Sequence, residues 1–177
     1  MTSLSEIDIS SLTLLKYPDP RLRQPCTRVE EFDDRLRALV ARMFSVMYEH
    51  NGVGLAAPQV GVGLCVFIAN AAHEPAGERV YINPQLISNE GSQDGEEGCL
   101  SFPGIYCHIK RAAVTVIRAQ DLEGNVFEER GEDLLARAFQ HEYDHLQGRL
   151  LVDRMSPVAR MAHRRALKSL EEAAAAS

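Results

Sequence analysis

His141 and His145 are separated by three residues, and Glu142 directly follows the first of them, so this segment reads His-Glu-x-x-His. Residues four apart on a helix lie on one face, so both imidazoles could reach the same metal ion. The Glu142 carboxylate would then lie near the open coordination position, where it could take a proton from water. The pattern predicts a helical metal site with Glu142 as general base; the alternative is a solvent-facing turn with two unrelated histidines.

A catalytic metal site needs a third protein ligand and one open position. Downstream of the histidines, Glu171 and Glu172 fall in a segment that is expected to fray, so they are poor candidates. Upstream, Cys99 follows a polar, glycine-bearing stretch from 91 to 98, which would present its thiolate at an edge; an inert core thiol is the alternative. One thiolate and two imidazoles suit Zn²⁺ or Fe²⁺ and suit Mg²⁺ or Ca²⁺ poorly.

Three segments have the pattern of helices. Apolar residues recur at helical spacing over 33–50, and a second helix is predicted over 134–146 with Asp133 as its cap. Ser156 and Pro157 predict the start of a last helix over about 157–172, followed by a frayed tail to residue 177. The motif His-Glu-x-x-His therefore lies inside the second predicted helix.

The remaining segments predict strands and a loop. Residues 52–61 are punctuated by glycine and are expected to form a loop, and Asp121 to Asn125 have the composition of a hairpin turn. Strands are predicted over 64–69, 80–83, 85–88, 113–119 and 125–129. Because helices and strands do not alternate regularly, the expected fold is α+β, with mixed or antiparallel sheets packed around the central motif-bearing helix and with N-terminal and C-terminal flanking helices.

Bulk composition narrows the class of protein. The 177 residues, 45% hydrophobic and 25% charged, are typical of one globular domain, predicted to span 1–177. A net charge of −6 argues against a DNA-binding surface. The sequence contains no apolar run near the ~20 residues that span a bilayer, and its start lacks the features of a secretory signal. These features predict a cytoplasmic protein with reduced cysteines and no membrane association.

Three segments together resemble the signature motifs of peptide deformylase, in order and in spacing. They are Gly-Val-Gly-Leu-Ala-Ala-Pro-Gln at 52–59, Glu-Gly-Cys-Leu-Ser at 97–101 and Gln-His-Glu-Tyr-Asp-His at 140–145, and the likeness extends from about 17 to 156. It implies a metal-dependent hydrolase of protein biosynthesis that removes the N-terminal formyl group from formylmethionyl nascent polypeptides and releases formate. In the implied mechanism metal-bound water attacks the formyl carbon, with Glu142 as general base and then acid.

The resemblance also implies a cofactor and site residues. It implies one divalent metal per chain, with Fe²⁺ as the native ion and Zn²⁺, Ni²⁺ or Co²⁺ in some preparations. Gln59 and the backbone N–H of Leu100 match groups that stabilise the oxyanion, beside the ligands Cys99, His141 and His145. The positions that match substrate-binding residues are Val53, Gly54, Leu134 and Ala138, of which Gly54 would pair through its backbone with the extended peptide.

Behind the ligands, Arg111 and Asp144 occupy positions where the family often has a supporting ion pair. Asp144 is expected to orient or pair rather than to react, because on the helix it points away from His141. Glu97 is either a hydrogen-bond acceptor behind a metal ligand or merely solvated, and the first interpretation is preferred.

The last predicted helix carries a group of basic residues, Arg160, Arg164, Arg165 and Lys168. A solvated face is the ordinary explanation, but an enzyme that meets nascent chains could use this helix to contact ribosomal RNA. The chain is otherwise expected to be a monomer.

Two other functions remain open from the residues alone. One is a catalytically inactive peptide-binding module in which the metal only stabilises the fold, although such a site would not need Glu142. The other is a general His-Glu-x-x-His zinc peptidase, which the missing downstream ligand and the position of Cys99 disfavour.

Overall fold

The computed structural model describes residues 4–72 and 74–176, so residues 1–3, 73 and 177 of the predicted domain 1–177 lie outside it. Its helices are α1 (Asp34–Glu49), α2 (Asp133–Leu146), α3 (Leu151–Arg154), α4 (Pro157–Ala162) and α5 (Arg164–Ala175). Its strands are β1 (Gly54–Ala56), β2 (Val66–Ala69), β3 (Arg79–Glu90), β4 (Gln93–Gly98), β5 (Tyr106–Arg111), β6 (Val114–Gln120) and β7 (Val126–Glu132).

The strands form two antiparallel sheets. One has five strands in the order β1-β2-β3-β6-β7, and the other is the two-stranded pair β4-β5. The turn at 121–125 joins β6 to β7 as predicted, with the N–H of Asp121 donating to the carbonyl of Asn125 at 3.0 Å. The α+β class with antiparallel sheets is therefore confirmed.

Helix α2 packs against the five-stranded sheet through aromatic rings. Phe139 of α2 meets the edge of Tyr81 on β3, with ring centroids 5.1 Å apart, and Tyr81 stacks on Phe67 of β2 at 4.6 Å. All three side chains are fully buried, and aromatic pairs of this kind add to the stabilisation from burial. This contact fixes the helix that carries both motif histidines.

Helix α1 begins and ends close to its predicted limits. The carboxylate of Asp33 accepts from the N–H of Leu36 at 2.9 Å and caps the helix. Its buried face includes Leu36, Val40 and Met43, which follow the helical spacing of the sequence and pack in a core with β1 and β2.

Three strands lie where the sequence did not predict them. Strand β1 falls inside the segment expected to be a glycine loop, and β4 and β5 were not predicted. The two strands predicted at 80–83 and 85–88 are one strand, β3, whose pairing with β6 shifts register between Ile82 and Gln85. Asn83, at this irregularity, has a φ of 51°, which explains why the apolar pattern breaks there.

Two details of the predicted helices are wrong. Glu132 occupies the N-cap position of α2 without a side-chain capping hydrogen bond, and Asp133 is the first helical residue, with a φ of 47°, so it is not the cap. The single last helix is instead two, α4 and α5, separated at His163, and α5 continues through the alanine-rich segment to Ala175 because alanine favours helix. Ser156 caps α4 as predicted, accepting from the N–H of Ala159 at 3.1 Å.

Within the described residues, no helix is both long enough and apolar enough to cross a membrane.

The C-terminal end of α2 depends on the backbone conformation of Gly148. Its φ is +69°, and the N–H groups of Gly148 and Arg149 donate to the carbonyls of His145 and Asp144, which is the hydrogen-bonding pattern of a Schellman motif. A Cβ at this position would collide with the backbone carbonyl of Arg23. We expect Gly148→Ala to lower the free energy of unfolding by about 2–3 kcal/mol in urea denaturation.

The matched control is Gly63→Ala. A Cβ at Gly63 would meet no described atom within 4 Å, so its unfolding free energy should change by no more than about 0.5 kcal/mol. Equal stability of the two variants would contradict this account of how α2 ends.

Candidate active site

The side chains of Cys99, His141 and His145 converge on one point. Their ligand atoms all lie within 4.8 Å of one another. The Nε2 atom of His145 is 3.3 Å from the Sγ of Cys99 and 3.3 Å from the Nε2 of His141. One helical turn of α2 separates the histidines, while Cys99 directly follows β4. This thiolate and imidazole set fits a divalent ion such as Zn²⁺ or Fe²⁺.

Glu97 sets the orientation of the His141 ring. Its Oε1 lies 2.6 Å from the Nδ1 of His141, which leaves Nε2 directed at the ligand cluster. A carboxylate behind a metal-binding histidine fixes the tautomer and makes the imidazole a better ligand. The Nδ1 of His145, by contrast, is buried without a hydrogen-bond partner among the described residues.

A network of ion pairs surrounds Glu97, and all of its members except Arg154 are buried. Arg111 donates to both oxygens of Glu97, at 2.6 and 3.1 Å, and through its other nitrogen to Asp144 at 2.6 Å. Arg137 donates to Glu97 at 2.8 Å, and Arg154 donates to both oxygens of Asp144 at 2.5 and 2.9 Å. Because a buried charge is tolerated when it is paired and hydrogen-bonded, each carboxylate here depends on its arginines.

The pKa values of Glu97 and Glu142 are shifted in opposite directions. Burial would raise the pKa of Glu97, but hydrogen bonds from His141 and Arg111 hold it far below its usual range, so Glu97 is ionised. Burial raises the pKa of Glu142 to about 7. Its Oε2 has no hydrogen-bond partner in the described part of the chain. Glu142 is therefore suited to accept and release a proton near neutral pH.

The two histidines also differ in pKa. Burial, reinforced by the charge of His141, puts the pKa of His145 well below its usual value, so this imidazole is neutral as a ligand must be. Burial lowers the pKa of His141 too, but interactions with Cys99 and the hydrogen bond to Glu97 raise it well above normal. A binding ion would therefore displace a proton from His141.

Gln59 lies beside the cluster on a short 3₁₀ helix, Ala57–Val60, that follows β1. Its Oε1 accepts from the N–H of Ala56 at 2.9 Å. Its Nε2 donates to the Oγ of Ser101 at 3.1 Å and lies 3.6 Å from the Sγ of Cys99. The amide group is thus oriented from both ends and presents a donor at the edge of the cluster.

A cavity of about 540 Å³ opens onto this cluster. Its walls include all four residues predicted to bind substrate, Val53, Gly54, Leu134 and Ala138, together with Gln59, Leu100 and Glu142. A Cβ on Gly54 would lie 2.6 Å from the Oε1 of Glu142, so only glycine allows the carboxylate to approach the backbone here. The cavity therefore places a proton-accepting group, a metal-ligand set and apolar walls together.

The structure brings together every site residue that the sequence suggested and adds others that the sequence did not. Arg137 and Arg154 complete the ion pairs, and Ser101 holds Gln59. Arg137 precedes His141 by four residues, so helical spacing could have placed it on the same face. Ser101 is the last residue of the Glu-Gly-Cys-Leu-Ser segment, whereas for Arg154 the sequence carries no comparable signal.

Comparisons with known proteins place this architecture among relatives. The model of the polypeptide deformylase family matches residues 11–161. The chain is 48% identical over 162 residues to the peptide deformylase of Acidobacterium capsulatum, covering 90% of this chain and 95% of that protein. It is similar to the crystal structure of Plasmodium falciparum peptide deformylase, with a TM-score of 0.90, 37% identity and coverage of 93% and 98% of the two chains. Its similarity to a peptide deformylase from Legionella pneumophila has a TM-score of 0.86 and 42% identity, covering 94% and 98%.

We predict that metal binding at this cluster depends on the Cys99 side chain. Metal-free protein titrated with Co²⁺ should bind one ion per chain and develop a near-ultraviolet thiolate-to-cobalt band. Cys99→Ala should lose this band and bind more than about 100-fold more weakly, since removing even an outer partner of a ligand costs about 10–100-fold.

Cys26→Ala is the matched control, because Cys26 is a partly buried thiol that is not part of the ligand cluster. It should bind Co²⁺ as the unaltered protein does. A Cys99→Ala protein that kept the band would show that the thiolate ligand lies elsewhere.

Proposed function

The chain belongs to the peptide deformylase family and removes the N-terminal formyl group from nascent polypeptides, and we propose that Cys99, His141, His145 and Glu142 carry out this reaction. The observation that carries the proposal is the convergence of three ligand atoms within 4.8 Å, beside a cavity that Cys99, His141 and Glu142 help to line. A silent binding module would not need that carboxylate, and a general zinc peptidase would not explain the family match.

The residues fit the metal on which this family depends. Cys99, His141 and His145 would hold it, and the donor set suits Fe²⁺, which we propose as the native ion, while also accepting Zn²⁺, Ni²⁺ or Co²⁺. A bound ion supplies Lewis-acid chemistry, polarising a carbonyl oxygen and lowering the pKa of water.

Glu142 moves the proton in this proposal. It accepts a proton from the attacking water at Oε2, which has no hydrogen-bond partner among the described residues, and later donates it to the amine that leaves as the deformylated peptide. Its pKa of about 7, raised by burial, makes both transfers accessible near neutral pH. Gly54 keeps the path open by lacking a Cβ that would displace this carboxylate.

Gln59 and Leu100 are the proposed donors to the oxygen that gains negative charge. The Gln59 Nε2 contact to Cys99 is long, at 3.6 Å, so it can give way to a hydrogen bond to the developing oxyanion. The hydrogen bonds to Ala56 and Ser101 meanwhile keep the amide in place. The backbone N–H of Leu100, next to the ligand Cys99, would supply the second donor.

The cavity walls support the proposed recognition of formylmethionine. Val53, Leu134 and Ala138 offer an apolar surface for the methionine side chain, and the backbone of Gly54 would pair with the extended peptide. Behind the ligands, Glu97, Arg111 and Asp144 act as positioning residues through the buried ion pairs.

A formate-release assay tests the proposed chemistry. Protein loaded with Fe²⁺ under anaerobic conditions should release formate from a formylmethionyl peptide without cleaving its peptide bonds. Glu142→Gln should lower kcat by about 10²–10⁴-fold, because the amide cannot accept a proton. Glu90→Gln changes an exposed carboxylate at the end of β3 and should leave the rate unaltered.

Absence of formate from the loaded protein would overturn the assignment. A Glu142→Gln variant with the full rate would overturn the proposed role of Glu142 while leaving the activity intact.

We further propose that a monomer acts in the cytoplasm and meets the ribosome through α4 and α5. Arg160, Arg164, Arg165 and Lys168 are exposed on these helices. They lie near two exposed apolar side chains of α4, Val158 (79%) and Met161 (78%). Clustered cations of this kind bind the phosphate backbone of RNA.

A salt titration of ribosome binding tests this surface. Replacing the four basic residues with glutamine should weaken binding and reduce its dependence on log salt concentration by about 0.7–0.9 for each phosphate that the helices no longer neutralise. Glutamine at four other exposed arginines, Arg28, Arg79, Arg118 and Arg130, serves as the charge-matched control. Equal effects of the two sets would contradict a specific docking surface.

A further inference from the structure

Arg137 is a buried cation in the wall of the active-site cavity, and the catalytic scheme above gives it no role. It lies on α2, three residues after Leu134 and four residues before His141. Positions three and four apart share a helix face, so Arg137 stands between a proposed methionine-binding residue and a metal ligand. A buried arginine at this point has to be explained by its contacts.

The guanidinium of Arg137 is held by hydrogen bonds to Glu97 and to the backbone of β5. Its Nη1 donates to Oε2 of Glu97 at 2.8 Å and to the carbonyl of Ile109 at 2.9 Å. The opposite oxygen of Glu97 accepts from Nδ1 of His141. Arg137 therefore contacts the carboxylate that orients a metal ligand, and it does so from a different element than Arg111, which lies on β5.

Space for this guanidinium is left by Gly95 of β4. A Cβ on Gly95 would lie only 3.0 Å from the Nη2 of Arg137, closer than ordinary contacts allow. The absence of a side chain there leaves room for the charged group beside the strand, and Arg137 is also one of the residues that line the cavity. An arginine side chain combines an aliphatic stem with a charged head, and the head of Arg137 is paired with Glu97.

We propose that Arg137 is a positioning residue that links the substrate pocket to the metal site: its guanidinium fixes Glu97, and through it His141, while its stem forms part of the wall against the methionine side chain. This inference rests on the proposed function of the site. The two tasks are carried by different atoms of one side chain, so they can be separated by substitution.

Three substitutions of Arg137 distinguish the role of its charge from the role of its aliphatic stem. Arg137→Lys keeps both, because a single ammonium nitrogen can replace Nη1 in its contacts with Glu97 and Ile109. Arg137→Met keeps an apolar stem and removes the charge, and Arg137→Ala removes both. Arg118→Met is the matched control, since Arg118 is an exposed arginine of β6 paired with Glu128 of β7, and neither residue lines the active-site cavity.

Two readouts are measured for each variant: retention of Zn²⁺ against a competing chelator, and kcat and KM for a formylmethionyl peptide. Arg137→Met should weaken Zn²⁺ binding by about 10-fold and lower kcat with little change in KM. Arg137→Ala should have the same effects and in addition a higher KM. Arg137→Lys should have a Zn²⁺ affinity, kcat and KM close to those of the unaltered protein. Arg118→Met should change neither quantity.

Circular dichroism establishes that each variant is folded before these measurements. If Arg137→Met does not fold, Arg137→Gln replaces it, because its amide can still donate to the Ile109 carbonyl without supplying charge. Unaltered Zn²⁺ retention in the folded uncharged variant would overturn the proposal, as would an Arg137→Lys variant no better than Arg137→Met. Neither result would contradict the assignment of deformylase activity. That assignment fails only if the unaltered protein releases no formate.

Discussion

The Glu97 carboxylate is buried between the two-stranded sheet and α2, where it accepts hydrogen bonds from His141, Arg111 and Arg137. An ionised carboxylate at such a position is costly unless all of its partners are present. Those partners come from β5 and α2, so the charge can be accommodated only when both elements are in their final places. The orientation of one metal ligand is thereby tied to the assembly of the fold around it.

The rest of the site follows from how α2 is held. The aromatic contact of Phe139 with Tyr81 fixes one side of this helix against the five-stranded sheet, and the Gly148 turn fixes its end. Another side of this helix lines the cavity through Leu134, Ala138, His141 and Glu142, and His145 follows one turn after His141. Because one rigid helix carries these groups, their mutual geometry needs little adjustment when a substrate enters.

The histidine pair and its helix could be predicted because both depend on local spacing, which a sequence displays directly. Strand β4 could not, because the side chain it buries is Glu97, and a strand that buries a charge has no apolar alternation. Arg137 and Arg154 were not predicted either, because their importance depends on ion pairs that only the fold forms. Their partners, Glu97 and Asp144, are 40 and 10 residues away in sequence. The glycine segment at 52–61 was expected to be a loop, but Gly54 to Ala56 pair with β2, a contact that only the folded sheet reveals.

The most direct test of this account is a comparison of Glu97→Gln with Glu96→Gln. These are neighbouring residues of β4, one buried and paired, the other exposed. For Glu97→Gln we predict a loss of about 3–5 kcal/mol in the unfolding free energy of the metal-free protein, because Arg111 and Arg137 lose their shared partner. We also predict about 10–100-fold weaker Zn²⁺ binding, and for Glu96→Gln no change in either quantity. A Glu97→Gln protein as stable and as tightly metal-binding as the original would contradict the account.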